Sequence, residues 1–220
     1  MATMVEATTR DQAPAPAAAA PWYRDSKRLL IGAAVAVLLL GVVAWVVISS
    51  ERRKEQFAAR SLNQARAAAE AGNLPLASSE LQRLIDTYGG TDAATEAVIT
   101  LNQVRLINGQ GELAAVGLRE FIDRDPPEKY LAPAYGLLGT ALENSKRPAE
   151  AADAFRNASR AADIEYLKAR YLIDAGRAYR AAGKPEEARA AYRAIIDSFP
   201  QASSVTEAKV RLAELTDGRM

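Results

Sequence analysis

The chain has 220 residues, 49% hydrophobic and 25% charged, with a formal net charge of +1 and neither Cys nor His. Without them there is no disulfide, no thiolate nucleophile, no His or Cys metal ligand and no Ser-His or Cys-His pair. Enzymatic chemistry would fall to carboxylate, Lys or Tyr side chains alone, and the balanced charge lacks the basic footprint of a nucleic-acid-binding domain.

Residues 1–28 form a polar, biased segment in which Asp11 to Pro21 reads DQAPAPAAAAP. Such a composition cannot bury a core, so a disordered or extended tail is expected. Leu29 to Ile48 follows without a charge, and 13 of its 20 residues are Leu, Ile or Val. As a helix it would cover roughly 30 Å, the thickness of a bilayer's hydrocarbon core. A cleaved signal peptide would have a shorter apolar run ending in small residues. This one exits through Ser49, Ser50 and Glu51, so an uncleaved transmembrane helix is expected over residues 29–49, with Trp22 and Tyr23 as interfacial aromatics. Charge leaves its orientation open: residues 9–28 carry four Lys/Arg and residues 49–68 carry five. Residues 50–57 contain no helix breaker and read as a helical connector into a domain over 58–220.

That domain repeats. Ala77, Ala114, Ala151 and Ala188 stand 37 residues apart, each followed four positions later by Leu81, Leu118, Phe155 or Tyr192. Seven positions beyond each Ala stand Leu84, Phe121, Ala158 and Ile195. Five before it stand Gly72, Gly109, Lys146 and Gly183, and twelve before it Ala65, Asn102, Gly139 and Gly176. Small residues at these steps let helices cross closely, and the Gly column suits left-handed helix caps. Pro75, Pro148 and Pro185 fall where second helices would start. A further segment, Thr206 to Leu215, repeats the small-residue step once and reads as a capping helix. The expectation is an all-α solenoid of four helix pairs plus that cap, preceded by the transmembrane helix.

These columns resemble the tetratricopeptide repeat, whose units carry Leu-Gly, Tyr, Ala, Phe and Pro at fixed offsets. The fourth unit carries them best, with Leu172, Gly176, Tyr179, Ala188, Tyr192 and Pro200. The longer step is read as longer turns between units, at Gly89-Gly90-Thr91 and Asp125-Pro126-Pro127. The resemblance implies a protein-binding inner face. It would comprise Leu62, Arg66 and Glu70 from the first unit, and Glu96, Ile99, Gln103, Leu106 and Ile107 from the second. The third unit would add Thr140, Glu143 and Asn144, and the fourth Arg170, Ile173, Arg177 and Arg180, whose arginines would favour an acidic segment.

No catalytic, cofactor-binding or metal-binding constellation is read from the chain, so it is expected not to be an enzyme and to need no cofactor. A single N-terminal span before a small repeat domain, with Tyr88-Gly89-Gly90-Thr91 and Leu137-Leu138-Gly139-Thr140-Ala141-Leu142-Glu143, resembles the bacterial ancillary translocon subunit family. That resemblance implies an inner-membrane protein with a cytoplasmic N-terminus and a periplasmic repeat domain. Its partners would be the secretion channel, periplasmic chaperones or emerging chains, with lipid met through one span and no nucleic acid or small-molecule substrate. A scaffold for another envelope machine, or an accessory subunit held by its span, are the alternative readings.

Overall fold

A computed structural model describes residues 23–216. The expected tail, including Trp22, lies almost wholly outside the described residues. Nine α-helices and one 3-10 turn are described: α1 (Tyr23–Glu70), α2 (Leu74–Thr87), α3 (Asp92–Ile107), α4 (Gly111–Asp123), the 3-10 turn Glu128–Tyr130, α5 (Leu131–Asn144), α6 (Pro148–Ala161), α7 (Glu165–Ala181), α8 (Pro185–Ser198) and α9 (Ser204–Leu215). No strand occurs among the described residues. The chain divides into two compact units, with the boundary between Ser50 and Glu51.

In the first unit the described chain is the start of α1. Leu29 opens a stretch with a mean hydropathy of 2.8, none of it buried within the protein, so this helix is long and apolar enough to cross a membrane.

The second unit is a tetratricopeptide-like solenoid. Its four pairs are the C-terminal part of α1 with α2, whose apolar side chains share one core cluster, α3 with α4, α5 with α6, and α7 with α8; α9 packs on α7 and α8. The cap begins at Ser204, two residues before the sequence reading placed it. The alanine column is fully buried at all four positions, and Leu81, Leu118, Phe155 and Tyr192 are buried beside it. The first-helix column provides the room. A Cβ on Gly139 would stand 2.6 Å from the Phe155 ring, and one on Gly176 would run into the Tyr192 ring. The small residue therefore lies under the wedge side chain of the second helix.

Each first helix ends alike. The residues five before each alanine, Gly72, Gly109, Lys146 and Gly183, all have positive φ, Lys146 at 58°. The next amide donates back to a carbonyl five residues earlier: Asn73 to Ala68, Gln110 to Arg105, Arg147 to Leu142 and Lys184 to Tyr179, at 2.8–2.9 Å. This is the Schellman closure, which satisfies carbonyls that the helix end leaves free.

The N-terminal end of α3 is closed by another helix. Glu55 of α1 accepts from the amides of Asp92 and Ala93 at 2.9 and 3.0 Å, and Thr91 Oγ1 accepts from Ala94 at 3.1 Å. Asp92 in turn accepts from Tyr130 Oη at 2.9 Å and pairs with Lys129 Nζ at 2.7 Å. Hydrogen bonds from Lys129 and Tyr130 hold the Asp92 carboxyl below its ordinary value. The 3-10 turn carrying these partners was not anticipated from sequence. It buries Tyr130 edge-on to Phe121, with ring centroids 6.5 Å apart.

The apolar core falls into two clusters that divide along α3. Ala94, Ala97, Leu101 and Val104 pack with α1 and α2, whereas Ile99 joins α4 to α9.

Candidate protein-binding surface

Functional side chains of a solenoid sit on the face of its first helices, because the opposite stripe of each is consumed by packing. The sequence-expected residues separate accordingly. Leu62, Ile99 and Ile173 are 3%, 7% and 3% exposed, so they belong to the core and not to an accessible face. Leu106 is half-buried, whereas Ile107 is 71% exposed. Glu70, Gln103, Thr140, Asn144, Arg170, Arg177 and Arg180 are exposed, and Arg66, Glu96 and Glu143 are half-buried.

Several of the charged residues are brought together in pairs that join neighbouring repeats. Arg66 of α1 bonds Glu96 of α3 at 2.6 Å. Arg177 of α7 bonds Glu143 of α5 at 2.9 Å, and Arg180 bonds Glu214 of α9 at 2.8 Å. The last two are the same structural pair one repeat apart with the charges exchanged, since each joins positions 34 residues apart. Asp174 accepts from Arg177 at 3.1 Å and lies 3.5 Å from Arg170. Burial pulls the Arg177 guanidinium down, but Glu143 and Asp174 outweigh it and its pKa is raised. Each of the three arginines expected to attract an acidic segment is thus matched by a carboxylate of the chain itself. At these exposures such a pair contributes about 0–1 kcal/mol.

Asp174 and Glu214 were missed by the sequence reading. Their signal is the opposite charge 34 residues from Arg180, or one helical turn before Arg177, rather than any feature of the 37-residue columns. Gln103, Thr140, Asn144 and Ile107 make the uncharged stretch between the ion pairs. The Thr140 hydroxyl is turned to its own helix, donating to Gly136 O at 3.2 Å.

No cluster of metal-ligating side chains occurs among the described residues. A repeat fold of this kind typically serves as a protein-interaction scaffold. Residues 21–217 match the family model described as tetratricopeptide repeat-like domain. No curated protein matches the chain. Among solved structures, a crystal structure of MamA superposes with a TM-score of 0.56 at 19% identity, over 70% of this chain and 83% of that one. A second MamA structure gives 0.54 at 20% identity, over 73% and 87%. At this identity the likeness is one of fold. The family match spans nearly the whole chain, and the chain belongs to the tetratricopeptide repeat-like domain family.

Proposed function

We propose that this protein is a membrane-anchored interaction module, an ancillary subunit of the secretion translocon that meets chaperones or emerging chains on the trans side. The observation that carries the reading is the joining of one exposed apolar helix to a family repeat domain with no other domain between. The N-terminus is assigned to the cytoplasm and the repeat domain to the periplasm, since long domains cross a membrane largely regardless of flanking charge. We assign residues 1–28 as a tail, 29–49 as the span, 50–57 as a connector and 58–220 as the repeat domain.

The balanced ion pairs redirect the expected ligand. With Arg66, Arg170, Arg177 and Arg180 matched by carboxylates, the face suits an uncharged extended segment better than an acidic one. Gln103 and Asn144 supply amides for a peptide backbone and Ile107 an apolar contact, with Glu70, Thr140, Glu96 and Glu143 around them.

Photocrosslinking in native membranes tests this. A crosslinker at Gln103 or Asn144 is expected to capture channel subunits, chaperones or secreted chains, and one at the exposed Arg193 of α8 is not. Capture of cell-division or outer-membrane-assembly proteins instead would move the module to another machine. Protease added to spheroplasts is expected to digest the repeat domain and spare an N-terminal tag. Survival of the repeat domain until detergent is added removes the secretion reading.

A further inference from the structure

The second repeat breaks the packing rule of the other three at two columns. Nine residues before the alanines stand Ala68, Arg105, Leu142 and Tyr179. Leu142 and Tyr179 are 1% and 3% exposed, whereas Arg105 is half-buried and puts a guanidinium at the edge of the core. Three residues earlier, where the other repeats have Ala65, Gly139 and Gly176, stands Asn102, 1% exposed.

The two polar residues are built together. Arg105 donates to Asn102 Oδ1 at 3.1 Å, and Asn102 Nδ2 donates to Val98 O at 2.9 Å. Gly117 of α4 makes the space: a Cβ there would lie 2.8 Å from Asn102 Oδ1 and 2.9 Å from the Arg105 guanidinium. The same position is Ala154 and Ala191 in the next two repeats. Among the described residues no carboxylate lies within ion-pair distance of Arg105, and Asn102 is its hydrogen-bond partner. Burial lowers its pKa although the charge of Glu120 opposes this.

Arg105 lines a cavity of about 240 Å³ between α2 and α4. The cavity adjoins one of about 370 Å³, and Ile85, Val98, Phe121 and Arg124 line both. One repeat further on the equivalent groove has Tyr135 and Leu142 in place of Val98 and Arg105. The rim carboxylates are engaged nearby: Asp86 accepts from Gln82 at 3.0 Å and Glu120 lies 4.0 Å from Arg124. They disfavour a polyanion such as nucleic acid, while the half-buried Arg105 guanidinium presents donors beside apolar side chains, where a charge-assisted bond is strong.

We infer that the groove between α2 and α4, on the side away from the first-helix face, is a second protein-binding site that takes a partner segment placing a carboxylate on Arg105 and a neighbouring apolar side chain on Ile85, Val98 and Phe121. A half-buried guanidinium carries a desolvation cost that an apolar side chain such as Leu142 does not, and the polar pair with its matching glycine occurs in one repeat of four. The site stands independently of the translocon reading, since it is defined by the groove and not by topology.

The test uses the full-length protein in nanodiscs and fluorescent hexapeptides containing Phe-Asp or Leu-Glu, against the same peptides with Phe-Asn or Leu-Gln. Anisotropy is expected to show the acidic peptides binding about tenfold or more tightly than their amides. Arg105→Leu, which installs the third repeat's residue, is expected to abolish that preference while the protein still unfolds cooperatively in urea, at a lowered midpoint because Asn102 Oδ1 loses its donor. Arg177→Leu is expected to leave the preference intact. Equal binding of acid and amide, no binding by either, or an unaltered preference in Arg105→Leu would overturn the inference. A dimer that Arg105→Leu dissolves would assign the groove to self-association instead.

Discussion

The two halves of the repeat domain are held by different chemistry. The third and fourth repeats set an aromatic ring on a glycine, Phe155 on Gly139 and Tyr192 on Gly176. The first two set a leucine against Ala65 or Asn102, and add polar devices that the other half lacks: the Glu55 cap on α3, Asp92 with Lys129 and Tyr130, and the Asn102–Arg105 pair. A repeat can therefore keep its geometry while exchanging buried area for hydrogen bonds. The aromatic half should be the more sensitive to a change of volume at its ring–glycine contacts, and the polar half to loss of the Glu55 and Asp92 bonds.

The largest expected effect is in the aromatic half. Phe155→Ala should cost about 3–5 kcal/mol and the equivalent Leu81→Ala about 2–5 kcal/mol. Urea unfolding of the two variants compares the halves directly, and a larger loss in Leu81→Ala than in Phe155→Ala would reverse the contrast. Next, Gly139→Ala should cost about 1–3 kcal/mol by overpacking the ring. Adding Phe155→Leu rebuilds the Ala65–Leu81 couple of the first repeat and should return part of that loss. A double variant whose losses simply add would show that the ring and the glycine are not a unit.

In the polar half, Glu55→Ala removes an acceptor from two amides and a negative charge from a helix N-terminus, for about 1 kcal/mol. Hydrogen exchange should place the loss at Asp92 and Ala93, with α5 to α8 unchanged. An effect spread evenly over both halves would deny the cap a local role.

One group in each half carries a pH dependence of opposite sign. Asp92 has a carboxyl held low by Lys129 and Tyr130. Its contribution is present above the ordinary value of 3.8 and is lost as pH falls through the lower folded value. Tyr179 is pushed up to about 12 by burial and by its bond to Asp153. Its contribution is present below the ordinary value of 10.0 and is lost as pH rises from there toward about 12. Asp92→Asn should therefore flatten the acid side of the stability curve and, because Asp92 also raises the pKa of Lys129 and Tyr130, weaken part of the alkaline side, whereas Tyr179→Phe should flatten the alkaline side and leave the acid side alone. An acid-side effect of Tyr179→Phe, or no acid-side effect of Asp92→Asn, would contradict these assignments.

The sequence made the columns readable because each is a local necessity repeated four times. Ala188 must be small, Pro185 must start a helix, and Gly183 must turn left-handed, whatever surrounds them. What depends on two repeats meeting was not readable. The Glu143–Arg177 bond needs the stagger of α5 on α7, and the Glu55 cap needs α1 to pass the start of α3. Leu62, Ile99 and Ile173 were placed on the binding face by family position, and packing took them into the core. Asn102 was visible as a break in a column, but its partner Arg105 and the space left by Gly117 exist only once α3 lies against α4.

The smallest expected effect tests the one departure in the cap column. Lys146 holds φ 58° where Gly72, Gly109 and Gly183 stand in the other repeats. A left-handed non-glycine residue carries a strain of about 1–2 kcal/mol, and a glycine there costs about 0.5–1 kcal/mol in unfolded-state entropy. Lys146 is exposed, and its amide bond to Glu143 O at 2.9 Å uses the backbone alone, so replacing the side chain sacrifices no packing. Lys146→Gly should raise stability by about 0.5–1 kcal/mol, the difference of those two terms. Gly183→Lys in the neighbouring repeat should lower it by a similar amount, because the Schellman closures at Arg147 and Lys184 match. A drop in the Lys146→Gly variant would mean that the lysine side chain, and not the turn, holds the end of α5.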